Sequence, residues 1–361
     1  MIVYFFFPRF SIYFIHRARF AQNLKRGVIF MKKLFALVLA FALLCTASSA
    51  LALTVGFTQV GQESDWRTAN TDDVCSAIKE AGWELIYDDA QQKQENQVKA
   101  VRNFITQGVD YIVFTAVVTT GWDEVLQEVV DEGIPLVLID RFPETNFPDD
   151  SWYTTYFGGD FPEEGARAGR WILNYMASVG HEGDINIVRL QGTTGADAQV
   201  GRTKGFDSVV AANPSMKIIF DQTGNFTRAE GQAVMEAALK AVGAENIDVL
   251  WAENDDMALG AIEAIKAAGL VPGKDIIIVG CDAVKAAFEA IVAGDMNCTV
   301  ECTPLMGDRV VEVITGLEAG QTFEKTVHPV EYVYDTNGGI AYDDAGNVTL
   351  KAADHLAERL Y

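Results

Sequence analysis

Asp140 and Arg141 close a short apolar run, Pro135-Leu-Val-Leu-Ile139. The run is aliphatic and unbroken, which predicts a buried strand of a parallel sheet. Ligands on open parallel sheets bind just outside the carboxyl ends of the strands. An acid and a base fixed there set an acceptor beside a donor, the combination a neutral polyol needs. An ordinary surface salt bridge in a strand-to-helix loop is the plain alternative, so the other strand ends matter.

They carry the same kinds of group. The first strand leads into Glu63-Ser-Asp-Trp-Arg67. Ser64 or Asp65 there reads as a helix cap, but the Trp66 indole needs something to pack on, and the C–H face of a sugar would serve. The fifth strand ends in Gln191-Gly-Thr-Thr-Gly195, with Arg202 in the helix that follows. That turn is neither a P-loop nor a dinucleotide fingerprint. Asn225-Phe226-Thr227-Arg228, Glu253-Asn254-Asp255-Asp256 and Cys281-Asp282 end the next three strands. Carboxylates and amides would bind hydroxyls, arginines would supply forked donors, and the aromatics would stack on a ring. No Gly-x-Ser-x-Gly elbow and no Cys–His arrangement with local support is present. Asp140 and Asp282 could be imagined flanking a glycosidic bond, but nothing marks either as a raised acid. The sequence reads as a binding protein, not an enzyme, with no cofactor motif and no metal-ligand spacing.

The elements that must position these residues follow an alternating pattern. Strands are predicted at 53–60, 83–88, 111–117, 135–140, 184–190, 216–221, 247–251 and 276–281. Helices are predicted at 66–81, 95–107, 121–132, 162–177, 198–212, 227–242, 256–268 and 283–293. Gly82, Gly108, Gly133 and Gly269 stand where four of these helices must stop in a left-handed turn. Lys99 and Arg102 lie on the polar side of a helix whose apolar side carries Val98, Val101 and Ile105. Alternation of this kind calls for doubly wound parallel sheets, and eight strands are better housed in two α/β lobes than in one sheet. The chain is expected to cross between lobes near 157–160, again at 297–303 and again at 331–334, forming a three-segment hinge. The second of these segments reads as β-like without a glycine-ended helix before it.

The 361 residues suffice for two domains with sizeable cores. Met31-Lys-Lys33, the apolar 34–44 and Ala50-Leu-Ala52 form a signal-peptide pattern, placing the mature start at Leu53. The apolar run is shorter than the roughly 18 residues of a membrane span. Residues 1–30 are aromatic and basic and contain no acid. They read as an extension from a start codon assigned too early, with Lys25-Arg-Gly27 as a purine-rich ribosome-binding site read as codons. Trimming residues 1–52 removes seven of the 28 basic residues, leaving 21 against 50 acids, a formal charge of −29. Such acidity argues against nucleic acid and anionic membrane surfaces. Leu44 before Cys45 is too large for the usual lipoprotein pattern. Cys75, Cys281, Cys298 and Cys302 remain in an exported chain that permits disulfides. Cys298 and Cys302, roughly 13 Å apart along a strand, are too distant to pair with each other.

Several segments together resemble the type I periplasmic sugar-binding proteins of ABC importers, the family of ribose- and galactose-binding proteins, and within it the galactofuranose-binding members. They are 53–61, Glu63-Ser-Asp-Trp-Arg67, Gln91-Gln-Lys-Gln-Glu-Asn-Gln97, 190–195, Phe226-Thr-Arg228 and Asn254-Asp-Asp-Met257. The Asp140-Arg141 pair is shared across the wider family. The resemblance spans essentially Leu53 to the end of the chain. It implies an N-terminal lobe of 53–156 plus 304–331 and a C-terminal lobe of 157–303 plus 332–361. It also implies that Glu63, Trp66, Arg67, Asp140 and Arg141 line the pocket from the first lobe. Arg202, Phe226, Asn254 and Asp282 would close from the second. Gln91–Gln97 would fix helix packing. The implied role is capture of a monosaccharide, galactofuranose first and arabinose, ribose or galactose next, by an exported monomer that delivers it to an ABC permease and its ATPase. Presentation of the sugar to a chemoreceptor or sensor kinase is the alternative use of the same fold. A repressor is disfavoured by the signal peptide. Asp65 and Phe142 depart from the family pattern, adding a charge and bulk that bear on which sugar is held, and the stretch beyond Val330 departs as well.

Overall fold

The computed structural model describes residues 53–361; the readings of 1–30 and of the signal peptide at 31–52 lie outside them. Among the described residues, no helix is long and apolar enough to cross a membrane.

The aliphatic runs form two sheets in succession. β1 (Thr54–Gln59), β2 (Glu84–Asp89), β3 (Tyr111–Phe114), β4 (Leu136–Ile139) and β5 (Thr155–Phe157) pair in parallel in the order β2-β1-β3-β4-β5. β6 (Ile185–Gln191), β7 (Met216–Thr223), β8 (Val249–Ala252), β9 (Ile277–Asp282) and β10 (Cys298–Glu301) repeat this order as β7-β6-β8-β9-β10. Two α/β lobes result, as expected. In each the strand order reverses beside its first strand, and open parallel sheets take ligands beyond the carboxyl ends at that point. β11 (Thr326–Val327) extends the first sheet beside β5. β12 (Val333–Asp335) runs antiparallel to β10, and β13 (Leu350–Lys351) completes the second sheet. The chain therefore passes between sheets three times, after Phe157, after Glu301 and after Val327.

The connecting helices are α1 (Asp65–Glu80), α2 (Gln94–Gln107), α3 (Asp123–Asp131), α4 (Phe161–Ser178), α5 (Asp197–Ala212), α6 (Arg228–Val242), α7 (Asp255–Ala267), α8 (Lys285–Ala293) and α9 (Gly307–Glu318). Side chains cap several of them: Ser64 accepts from the Arg67 amide, Thr227 from Glu230 and Asn254 from Met257. Such caps satisfy amides that the first helical turn leaves unpaired. Gly82, Gly108, Gly133 and Gly269 all carry positive φ at or just beyond helix ends. Strands β3, β4, β8 and β10 are buried along their whole length, so both faces of each sheet are covered.

Three details differ from expectation. β10 does follow a glycine-ended helix, because α8 stops at Gly294 (φ 85°), and it pairs in parallel with β9. β5 has only three residues, too few for periodicity to register. α9 has no side-chain cap, opens on glycine and is crowded with β-branched residues, all weak helix signals that packing overrides.

Candidate ligand-binding site

The carboxyl end of β4 presents Asp140 with φ 57°. That left-handed conformation is costly for a non-glycine residue and persists only where the surroundings enforce it. Here they do so through hydrogen bonds. Asp140 Oδ2 accepts from Arg67 Nη1 at 2.6 Å and from Thr115 Oγ1 at 3.1 Å, and its carbonyl accepts from the Tyr156 hydroxyl at 2.7 Å. Arg67, on the first turn of α1, also donates to Glu63 Oε1 at 3.1 Å and Gln59 Oε1 at 3.2 Å. Burial alone would lower the Arg67 pKa, but Asp140 and Glu63 together outweigh it and hold it above the usual value. Arg141 is in the opposite position. It donates to Glu63 Oε1 at 3.3 Å, yet burial, with Arg67 beside it, pulls its pKa down.

The second sheet answers with a parallel arrangement. Arg202, on α5, donates from Nε to Glu164 Oε2 at 2.7 Å, from Nη2 to Asp282 Oδ1 at 3.2 Å, and from Nη1 to the Glu253 carbonyl. Burial pushes Asp282 well above the carboxylate range, against the pull of Arg202. Asn254 is largely committed to local structure: it caps α7 and donates to the Phe226 carbonyl at 3.0 Å. Phe226 (φ 62°) and Asp282 (φ 123°) share the strained backbone of Asp140. The Phe226 ring lies flush on Gly192, where a Cβ would fall 1.9 Å from Cζ. Gly192 in turn donates its amide to Glu253, whose carboxyl burial pushes up to about 7. Across the gap between lobes, the Arg141 guanidinium stands over the Phe226 ring at 5.1 Å.

These residues line a small cavity at the carboxyl ends of both sheets. The structure brings together all nine residues singled out from sequence: Glu63, Trp66, Arg67, Asp140 and Arg141 from one side, and Arg202, Phe226, Asn254 and Asp282 from the other. The Trp66 indole lines the cavity, and its N–H donates to the Cys302 carbonyl at 2.7 Å, so one end of the ring is tied to the segment leaving β10. Glu63 Oε2 and Arg141 Nε are buried without a hydrogen-bond partner. An acceptor and a donor left in that state within one cavity are what a hydroxyl-rich ligand would satisfy.

Ser64, Ala198 and Cys302 also line the cavity and were not foreseen. Ala198 has no polar signature, and Cys302 drew attention only for disulfide and metal chemistry. It is a free thiol, as are Cys75, Cys281 and Cys298. Asp65 and Phe142, expected to bear on the choice of sugar, do not line the cavity. The Asp65 side chain is more than half exposed and pairs with Arg228 at 2.9 Å. The Phe142 ring turns away to pack edge-on against Trp152, Tyr153 and Tyr156. Gln97 packs a helix, as the resemblance implied: its side chain donates to the Thr115 carbonyl and accepts from the Val117 amide, fixing the loop after β3.

Comparison with known proteins agrees with this architecture. A family model described as periplasmic binding protein domain matches residues 55–322. The galactofuranose-binding protein YtfQ of Escherichia coli K12 is 44% identical over 276 residues, 76% of this chain and 85% of that protein. A crystal structure from Mycobacterium smegmatis in complex with β-D-fucofuranose superposes with a TM-score of 0.75 at 48% identity, covering 79% of this chain and 91% of that one. The binding component of the arabinose ABC transporter from Shewanella sp. ANA-3, bound to α- and β-L-arabinofuranose, gives 0.76 at 43% identity, covering 85% and 95%. With two parallel sheets facing one cavity and a family match along most of its length, the chain belongs to the periplasmic binding proteins of type I fold, a family that binds solutes and does not transform them.

Proposed function

We propose that this protein captures a monosaccharide in its furanose form, galactofuranose before arabinofuranose, and delivers it as an exported monomer to the permease of an ATP-driven importer. The observation that carries the reading is the buried pair of unpartnered polar atoms, Glu63 Oε2 and Arg141 Nε, in a cavity at the carboxyl ends of both sheets. The furanose-bound relatives support the ring form. In this reading the nine residues named above touch the sugar, and two bodies close on it: 53–156 with 304–331, and 157–303 with 332–361. Closure requires that the ligand bind the closed arrangement better than the open one.

Thermal unfolding of residues 53–361 against galactofuranose, galactose, arabinose, ribose, glucose and xylose tests this. A ligand at a hundred times its Kd should stabilise by about 2.7 kcal/mol, a shift of several degrees. Galactofuranose should give the largest shift. A larger shift with a pyranose sugar would overturn the ring assignment, and no shift with any of them would overturn the sugar reading.

A further inference from the structure

Each of the three passages between the sheets brings one polar residue to the same buried place. Glu164 stands in the first turn of α4, just after the first passage. Cys302 directly follows β10 on the second, and Glu331 precedes β12 on the third. A carboxylate oxygen of Glu164, one of Glu331 and the Cys302 Sγ lie within 4.8 Å of one another, and all three residues are buried. Their partners are unequal. Glu164 Oε2 accepts from Arg202 Nε at 2.7 Å and from the Cys281 thiol at 3.5 Å. Its Oε1 is buried with no partner. Glu331 Oε1 accepts only the Thr303 amide, at 3.0 Å.

Two carboxylates therefore share one neighbouring guanidinium. A second buried negative charge at this distance is strongly disfavoured unless something neutralises it. The remaining groups that face the pair are acids and thiols: Asp282, Glu301, Cys281 and Cys302. Of the other cations nearby, Arg167 donates to the Glu331 carbonyl and Arg359 is already paired with Glu301 at 2.7 Å.

We infer that Glu164 and Glu331 hold a single proton between them, with the charge kept on Glu164 facing Arg202 and the proton on Glu331. The orphaned Glu164 Oε1 then accepts from the Glu331 carboxyl, and every buried polar atom of the pair is accounted for. Burial, followed by Glu164, raises the Glu331 pKa, in the same direction. Because Arg202 also holds Asp282, a row of contacts runs from the cavity through Arg202, Glu164 and Glu331 to Thr303. Ionising Glu331 would load that row with an uncompensated charge where all three passages meet.

The test is thermal unfolding of the wild type, Glu331→Gln and Glu164→Gln between about pH 4 and pH 9. Glu331→Gln mimics the protonated acid. It should match the wild type near pH 4, below the ordinary carboxylate range, and exceed it by a margin that grows with pH until the folded wild type also ionises, because unfolding the wild type there releases a proton that the variant never binds. Glu164→Gln should lose stability at every pH, since Arg202 is left without its carboxylate. The infrared difference between wild type and Glu331→Gln at neutral pH should show the carbonyl stretch of a protonated carboxylic acid. Equal destabilisation by both variants at every pH, failure of Glu331→Gln to fold, or absence of that band would overturn the proposal. So would one equivalent of zinc retained by the purified wild type and required for its melting temperature.

Discussion

Arg228 donates to the Asp65 carboxylate at 2.9 Å, joining the first turn of α6 in one lobe to the first turn of α1 in the other. Asp256, behind them, accepts from Arg228 at 2.8 Å and from the Asp65 amide at 2.8 Å. The Asp65 carboxylate thus bridges the lobes beside the cavity without lining it. Exposed ion pairs contribute little and are screened by salt. Asp65→Ser is expected to speed sugar release by up to about five-fold, with the gain shrinking at high salt and the rank order of sugars unchanged. Stopped-flow release rates for two sugars at two ionic strengths would check it; a reversed sugar preference would return Asp65 to the role of specificity residue.

Arg141 combines a lowered pKa with an unpartnered buried nitrogen. It is poorly solvated while Arg67 already holds both nearby carboxylates, so its removal should leave the fold intact. Arg141→Ala is expected to keep the melting temperature within a few degrees and to lose about 2–5 kcal/mol of sugar binding, roughly thirty-fold or more. Calorimetric titration beside a melting curve separates the two effects. Normal binding by the variant would mean that the cavity has been misassigned.

Asp197, at the start of α5, accepts from the Phe142 amide of the other lobe at 2.9 Å. Burial pushes its carboxyl up to about 6; Asp140 and Glu144 push the same way, while the Phe142 amide and Arg141 oppose. The folded protein therefore binds this proton more tightly than the unfolded chain does. Its stabilisation is complete below the ordinary carboxylate range and is lost as pH rises through about 6. Asp197→Asn should flatten that part of the stability–pH curve, by about 3 kcal/mol at most. Urea unfolding at about pH 4, 5, 6 and 7 would reveal it, and an unchanged slope would rule Asp197 out as its source.

Gly192 leaves room for the Phe226 ring, and a methyl group there would overlap it. Gly192→Ala should push the ring out of register with Arg141 and weaken sugar binding about ten-fold or more, consistent with the 1–3 kcal/mol cost of overpacking. Retained affinity would show that the ring does not need that seat.

The parallel core was legible because its strands are unbroken aliphatic runs ended by glycine-capped helices. The cavity was legible because polar and aromatic groups recur at the carboxyl ends of such strands, and the resemblance to the sugar-binding proteins picked the nine from among them. What escaped sequence reading escaped for identifiable reasons. The backbone of Asp140, Phe226 and Asp282 is left-handed, and no residue type there announces it. Cys302 contributes mainly its carbonyl, which every residue possesses. Asp65 and Arg228 lie 163 positions apart, and only tertiary structure could show that this charge had a partner of its own.

The return of α9 and β11 to the first lobe also constrains how the chain can mature. The parallel core of the second sheet lies between Phe157 and Gly307 in the chain, so its residues emerge before the first lobe can be finished. Until then Gly307 cannot settle against α1, where its amide donates to Asp73, and Asn70 lacks the Pro304 carbonyl it donates to. The lobe that begins the protein is the one that must wait for the other to be made.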